Sequence, residues 1–122
     1  MKIVNGTDIV EVDRIKEDIE KYGSKFLNRI FTKNEIEYCE SKKTQKYQSY
    51  AVRFAAKEAI YKALSEHINT EYSWKDFEIT NTSEGKPNVK LGIKIDDLKD
   101  ITISLSHCKE YGVANVVAIY NK

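Results

Sequence analysis

SYAVRFAAKEAIYKAL, residues 49–64, is the stretch whose reading decides the fold, because strong helix formers and four charged side chains coincide there as nowhere else in the chain. At about 100° per residue, Val52, Ala55, Ala56, Ala59 and Ala63 fall on one stripe broadened by Ile60, and a stripe of that width faces a core. Alanine dominates the stripe, so another backbone can come close. Glu58 and Lys62 lie one turn apart at its edge with the glutamate first, the favourable order for an i,i+4 pair. Arg53 and Lys57 point elsewhere. Taken alone, these residues describe a docked helix with a solvated charged flank, and a sharper reading needs a second anchor.

The whole chain sets limits on that anchor. Its 122 residues suffice for one domain with a real core, and a single domain over 1–122 is expected. With 20 basic and 19 acidic residues, no global charge calls for nucleic acid or a membrane surface. A hydrophobic share of 41%, a charged share of 32% and a single proline describe a globular protein. In the opening MKIVNGTDIVEVDRI, Asn5, Gly6, Thr7 and Asp8 interrupt the apolar residues, which excludes a signal-peptide core. No later run approaches membrane-spanning length, so a cytoplasmic protein is expected. Cys39 and Cys108 stand in no metal-type or redox-type spacing and are expected as thiols.

In order along the chain, KIVNGTDIVEV (2–12) reads as a strand in which Gly6 marks a bulge or a close backbone approach. Asp8, near its end, is on general grounds a turn or cap residue. Ile15, Ile19 and Tyr22 predict a helix from Asp13 to the stop at Gly23, and a short helix carries Phe26, Leu27 and Ile30. Thr32 and Glu35 fit a capping box opening a third helix, with Ile36 and Tyr38 or Cys39 turned inward. Between 21 and 46, Lys21, Lys25, Arg29, Lys33, Lys42, Lys43 and Lys46 face only Glu35, Glu37 and Glu40, a local basic excess. Such a patch is either a solvated face or a surface that steers an acidic protein partner.

After the central helix, SEHINTEYS predicts a loop and WKDFEITN a strand. NTSEGKPN is turn chemistry, NVKLGIKI a second strand, and 96–100 a loop or single helical turn. ITISLSH alternates cleanly, with Ile101, Ile103 and Leu105 on one face and His107 at the end. GVANVVAIY is apolar on both faces and predicts an interior strand covered on both sides. One strand, several helices and then two hairpins predict an α+β protein with a mainly antiparallel sheet.

GTDIVEVDRI, RIFTKNE, RFAAKEAIYKAL, EGKPNV and ISLSHCKEYGVANVV, in that order, resemble the holo-acyl-carrier-protein synthases, the short class of phosphopantetheinyl transferases. The resemblance covers most of the chain. It implies transfer of the phosphopantetheine arm of coenzyme A to a serine of an apo acyl carrier protein in fatty acid biosynthesis, leaving adenosine 3′,5′-bisphosphate, with magnesium as cofactor. It implies that Asp8 and Glu58 bind the metal, in keeping with the preference of magnesium for one or two carboxylates, phosphates and water. Lys62 would reach the pyrophosphate and offset the charge on the departing bisphosphate.

The same resemblance places Arg53 and His107, with Ser106 beside it, near the nucleotide phosphates, and Lys86 and Pro87 in a loop against the nucleotide. Without it, His107 reads as a strand-end surface histidine. It further implies a homotrimer with active sites between subunits, and carrier docking through Arg14, Lys21, Lys25 and Arg29. The attacking hydroxyl belongs to the carrier, so no serine or cysteine nucleophile is required. Its proton could pass to metal-bound water or to a metal-site carboxylate, and sequence does not decide between them. The chain departs from the family at Val4, where glycine is usual, and at SEHIN, which replaces a glycine-rich loop. Two other readings stand beside the enzyme: a carrier-binding module of the same fold that has lost transfer, and a small nucleic-acid-binding domain. The charge balance and the lack of an aromatic-basic recognition motif speak against the last.

Overall fold

The computed structural model describes residues 1–121. Strand β1 (Lys2–Glu11) leads directly into helices α1 (Val12–Tyr22), α2 (Ser24–Ile30), α3 (Lys33–Glu40) and α4 (Lys46–Leu64). Strands β2 (Phe77–Asn81), β3 (Pro87–Leu91), β4 (Leu98–His107) and β5 (Tyr111–Tyr120) follow. All pairing is antiparallel, as expected for the α+β class, but it is divided between a three-stranded sheet of order β1-β5-β4 and a separate β2-β3 hairpin.

Helix α4 is the axis of the molecule. Its alanine stripe is fully buried against the three-stranded sheet, where Ala55, Ala56, Ala59 and Ile60 meet Ala114, Val116, Ala118 and Ile103. Small residues let the backbones close up. A Cβ on Gly6 would stand 2.1 Å from the Ala59 carbonyl oxygen, and one on Gly112 would stand 3.0 Å from the Val52 nitrogen. Gly6 is therefore a close-approach glycine, and the β1-β5 register runs through it without a bulge. The opposite side of α4 packs Tyr50 and Ala51 against Val12, Ile15, Ile30 and Cys39 from the first three helices and Phe31 from the link between α2 and α3.

Several predicted boundaries move. Helix α4 begins at Lys46, ahead of Ser49, because a 3₁₀ turn at Lys43–Gln45 feeds into it. Trp74–Asp76 is a 3₁₀ turn closed by a Ser73/Asp76 capping box, so β2 starts only at Phe77. Strand β3 stops at Leu91 rather than reaching Ile95, and Gly92 next to it closes against Asp76 by a 2.7 Å backbone hydrogen bond. The predicted loop at 96–100 yields its last residues to β4, which begins at Leu98 and passes a register shift between Leu98 and Asp100. Strand β5 is central in its sheet, yet only one face is buried: Val113, Asn115, Val117 and Ile119 remain half-exposed on the other.

The capping box predicted at Thr32 and Glu35 is present, but Glu35 does more than cap a surface helix. Its carboxylate is buried 2.8 Å from the Lys57 ammonium and accepts from the Ile79 amide at 2.7 Å. Lys57 also donates to the carbonyls of Trp74 and Phe77. The expectation that Arg53 and Lys57 lie on a solvated flank fails for both, since α3 and β2 cover that side of α4 and each side chain is at most 3% exposed.

Candidate active site

Strand β1 and the middle of α4 cross at the Gly6–Ala59 contact, and the crossing sets Asp8 and Glu58 beside one another at the sheet edge. Asp8 and Glu58 line one cleft of about 660 Å³ together with Arg14 and Asp18 of α1, Phe54 of α4 and Tyr111 of β5. Burial raises the Glu58 carboxyl above its ordinary value, and the Asp8 charge raises it further against the opposing pull of Lys62.

Lys62 does not pair with Glu58 as its spacing predicted. Its ammonium lies 3.0 Å from Asp8 Oδ1 and donates to the Thr7 carbonyl at 3.1 Å, so it ties the helix to β1. The competing carboxylate across the helix-strand crossing wins because Asp8 comes with a backbone acceptor beside it. No cluster of three or more histidine, cysteine or acidic side chains able to hold a metal occurs among the described residues. Two carboxylates with open space before them suit a hard cation that takes the rest of its oxygen shell from phosphates and water.

Arg53 and His107 come together in a second cleft, of about 270 Å³, with Tyr38, Ser49, Asn81 and Pro87 also on its walls. The Arg53 guanidinium lies over the Tyr38 ring at 4.2 Å and donates to Ser49 Oγ at 3.0 Å and Asn81 Oδ1 at 2.7 Å. The turn before β3 closes through Thr82 and Lys86, whose backbone groups bond at 2.8 Å, and it brings Gly85 and Pro87 to the cleft. Lys86 itself is exposed and does not line it. Ser106 alternates with Leu105 and His107 along β4, so it faces away from the cleft that those two line. Sequence reasoning missed Tyr38, Ser49 and Asn81, which are ordinary polar residues until folding gathers them round a buried arginine.

The predicted docking residues fall along one side of the molecule. Arg14 borders the carboxylate cleft, and Lys25 and Arg29 line an adjoining cleft of about 490 Å³ with Asp18, Tyr22 and Phe26. Lys21 is exposed beside the Tyr22 ring. A fourth cleft, of about 480 Å³, is lined by Arg29 and Glu58 together with Tyr61, Tyr72, Trp74 and Phe77. The SEHIN departure leaves no glycine-rich loop: Ser65–His67 forms a 3₁₀ turn, Glu66 is exposed, and His67 stacks on Tyr120 at 4.1 Å between centroids. No helix among the described residues is long and apolar enough to cross a membrane.

Residues 5–116 match the model of the 4′-phosphopantetheinyl transferase superfamily. The chain is 51% identical over 123 residues to a holo-[acyl-carrier-protein] synthase of Ruminiclostridium cellulolyticum, covering 96% of this chain and 92% of that one. It is 46% identical to the synthase of Chlamydia muridarum, over 93% of this chain and 91% of the relative. Among solved structures, the Helicobacter pylori holo-[acyl-carrier-protein] synthase in complex with coenzyme A superimposes with a TM-score of 0.82 at 32% identity, over 94% of this chain and 99% of that one. The Bacillus anthracis synthase in complex with coenzyme A (3′,5′-ADP) does so with a TM-score of 0.76 at 37% identity, over 94% of each chain. By sequence over nearly its whole length and by fold, the chain belongs to the holo-[acyl-carrier-protein] synthase family of the 4′-phosphopantetheinyl transferases.

Proposed function

We propose that the protein transfers 4′-phosphopantetheine from coenzyme A to a serine of an apo acyl carrier protein, in the service of fatty acid synthesis. The observation that carries the reading is the meeting of Asp8 of β1 with Glu58 and Lys62 of α4: the two carboxylates share a cleft bordered by Arg14, and the Lys62 ammonium holds Asp8 from beside it. In the reaction the serine oxygen bonds to the phosphorus that bears pantetheine, and the bond from that phosphorus to the bridging oxygen of the pyrophosphate breaks. Adenosine 3′,5′-bisphosphate leaves with the bonding electron pair, and the serine gives up its proton.

Asp8 and Glu58 fit a magnesium ion, which when bound would neutralise pyrophosphate charge and orient the phosphoryl group. The repulsion that Asp8 adds to burial at the Glu58 carboxyl, eased in part by Lys62, supports that fit, since a cation between the two would relieve it further. Lys62 supplies a positive charge that can move from Asp8 to the pyrophosphate and stabilise the leaving bisphosphate. The serine proton would pass to a metal-site carboxylate or to water at the same cleft.

Arg53 and His107 lie in a different cleft of the same chain from Asp8 and Glu58. Coenzyme A carries a pyrophosphate and a separate 3′-phosphate, and the division of the clefts suits one group to each. A homotrimer, in which the Arg53 cleft of one subunit faces the carboxylates of its neighbour, would complete the site, and the half-exposed face of β5 gives such a neighbour an apolar surface to cover. Arg14, Lys21, Lys25 and Arg29 then present a positive flank to an acidic carrier.

The test is release of adenosine 3′,5′-bisphosphate in the presence of coenzyme A, magnesium and apo carrier. Asp8→Ala and Glu58→Ala, each folded, should release it at least about a hundredfold more slowly than the parent, as should the parent under chelation. Undiminished release by both variants would reject the site.

A further inference from the structure

We propose that Asn81 is a positioning residue for the nucleotide: its carboxamide holds the Arg53 guanidinium and the Gly85–Pro87 turn as one anion-receiving unit. The inference rests on the reading of the Arg53 cleft as the seat of the 3′-phosphate, and it adds to that reading a residue that no sequence motif singled out. Asn81 ends β2 and stands opposite Pro87 in the hairpin register. Both ends of its side chain are engaged. Oδ1 accepts from Arg53 at 2.7 Å, and Nδ2 donates to the Gly85 carbonyl at 3.1 Å. The first bond aims the guanidinium into the cleft; the second pins a turn whose glycine sits at φ 86°, where a side chain is disfavoured.

The chemistry of the partners gives the arrangement its purpose. Arg53 is 3% exposed, yet every group that holds it is neutral: the Ser49 hydroxyl, the Asn81 carboxamide and the face of Tyr38. Its Nε is buried and without a hydrogen-bond partner among the described residues. Buried polar groups are nearly always satisfied, and an arginine paired to a carboxylate has already spent its charge. An arginine fixed by neutral acceptors, with a donor left over, keeps its full charge for an incoming phosphate. Asparagine rather than aspartate at 81 preserves that charge while still accepting from the guanidinium.

Asn81→Asp tests this most sharply, because it is isosteric, keeps the acceptor toward Arg53, removes the donor toward Gly85 and adds a competing anion. Binding of coenzyme A and of 3′-dephospho-coenzyme A is measured by titration calorimetry for the parent, Asn81→Asp, Asn81→Ala and Arg53→Met, with the thermal midpoint of each. A charge-assisted hydrogen bond lost to a phosphate corresponds to about tenfold or more in affinity. Asn81→Asp should therefore lose about tenfold or more for coenzyme A and change less than about threefold for the dephospho compound. The preference between the two ligands collapses, as it also should in Arg53→Met. A merely structural role would lower the midpoint and weaken both ligands alike. If Arg53→Met collapses the preference while Asn81→Asp keeps it, the proposal is overturned and the reading of the cleft survives. If Arg53→Met also keeps the preference, the reading of the cleft has failed and the proposal falls with it. Should Asn81→Ala not fold, the aspartate variant decides.

Discussion

The Lys62 ammonium lies 3.0 Å from Asp8 Oδ1, across the junction of α4 and β1, instead of on Glu58 one turn earlier in its own helix. Lysine thereby occupies the carboxylate that a divalent cation would otherwise claim. Removing it should make the free protein a better cation binder even as it makes a poorer enzyme. Two unit charges at about 4 Å in water interact by about 1 kcal/mol, a factor of about five in affinity. Lys62→Met should thus bind Mn²⁺ about fivefold more tightly than the parent when titrated by electron paramagnetic resonance without coenzyme A. Unchanged or weaker binding would show that Lys62 and the cation do not compete.

Glu58 gives a pH signature for the same cluster. Its folded-state carboxyl is raised above the ordinary value of 4.5 by burial first and by Asp8 second. The fold therefore holds the proton more tightly than the unfolded chain does, and ionisation of Glu58 subtracts stability as pH rises from about 4.5 through the raised value. Glu58→Gln removes that penalty. The variant should melt above the parent at pH 7 in the absence of metal, with the gap closing below pH 4.5. A gap independent of pH would mean that packing, not charge, separates the two proteins.

The Lys57–Glu35 pair makes a different kind of prediction, because both side chains are wholly buried and their ion pair, at 2.8 Å, is surrounded by satisfied backbone groups. Burial pushes the Lys57 pKa down while Glu35 opposes the shift. Removing one partner leaves an uncompensated charge, so Lys57→Met and Glu35→Gln should each cost roughly 3–5 kcal/mol in denaturant unfolding. The double variant should cost less than the sum of the two. Strict additivity would show that the pair is not coupled.

These contrasts show what the sequence made legible. The alanine stripe of α4, the glycine of β1, the Thr32 capping box and the alternation of β4 each follow from local pattern, so the α+β class and most elements could be read directly. The Trp74 turn and the early start of β4 could not, because a cap at Ser73 and a pairing with β5 override local apolar spacing. At the site, the proximity of Asp8 to Glu58 was accessible only through resemblance to a family; nothing in two acids fifty residues apart announces contact. The partner of Lys62 was misassigned because helix periodicity knows only its own helix. Arg53 and Lys57 looked solvated for the same reason, and the residues that bury them arrive from β2 and α3.

The separation of the Arg53–His107 cleft from the Asp8–Glu58 cleft within one chain predicts complementation. Asp8→Ala and His107→Ala, each weakly active alone, should regain activity when refolded together, because mixed assemblies contain some interfaces with both residues intact. Sedimentation should show a trimer. A fully active monomer would remove the oligomeric proposal altogether, whereas a trimer without complementation would remove only the shared site.

Transfer itself is tested most directly by the mass of the carrier. An apo acyl carrier protein incubated with this protein, coenzyme A and magnesium should gain the mass of one phosphopantetheine, located on a serine, and should gain none when Asp8→Ala replaces the parent. A stable complex between the protein and the carrier, with the carrier's mass unchanged under saturating coenzyme A and magnesium, would contradict the enzyme and leave a carrier-binding module in its place.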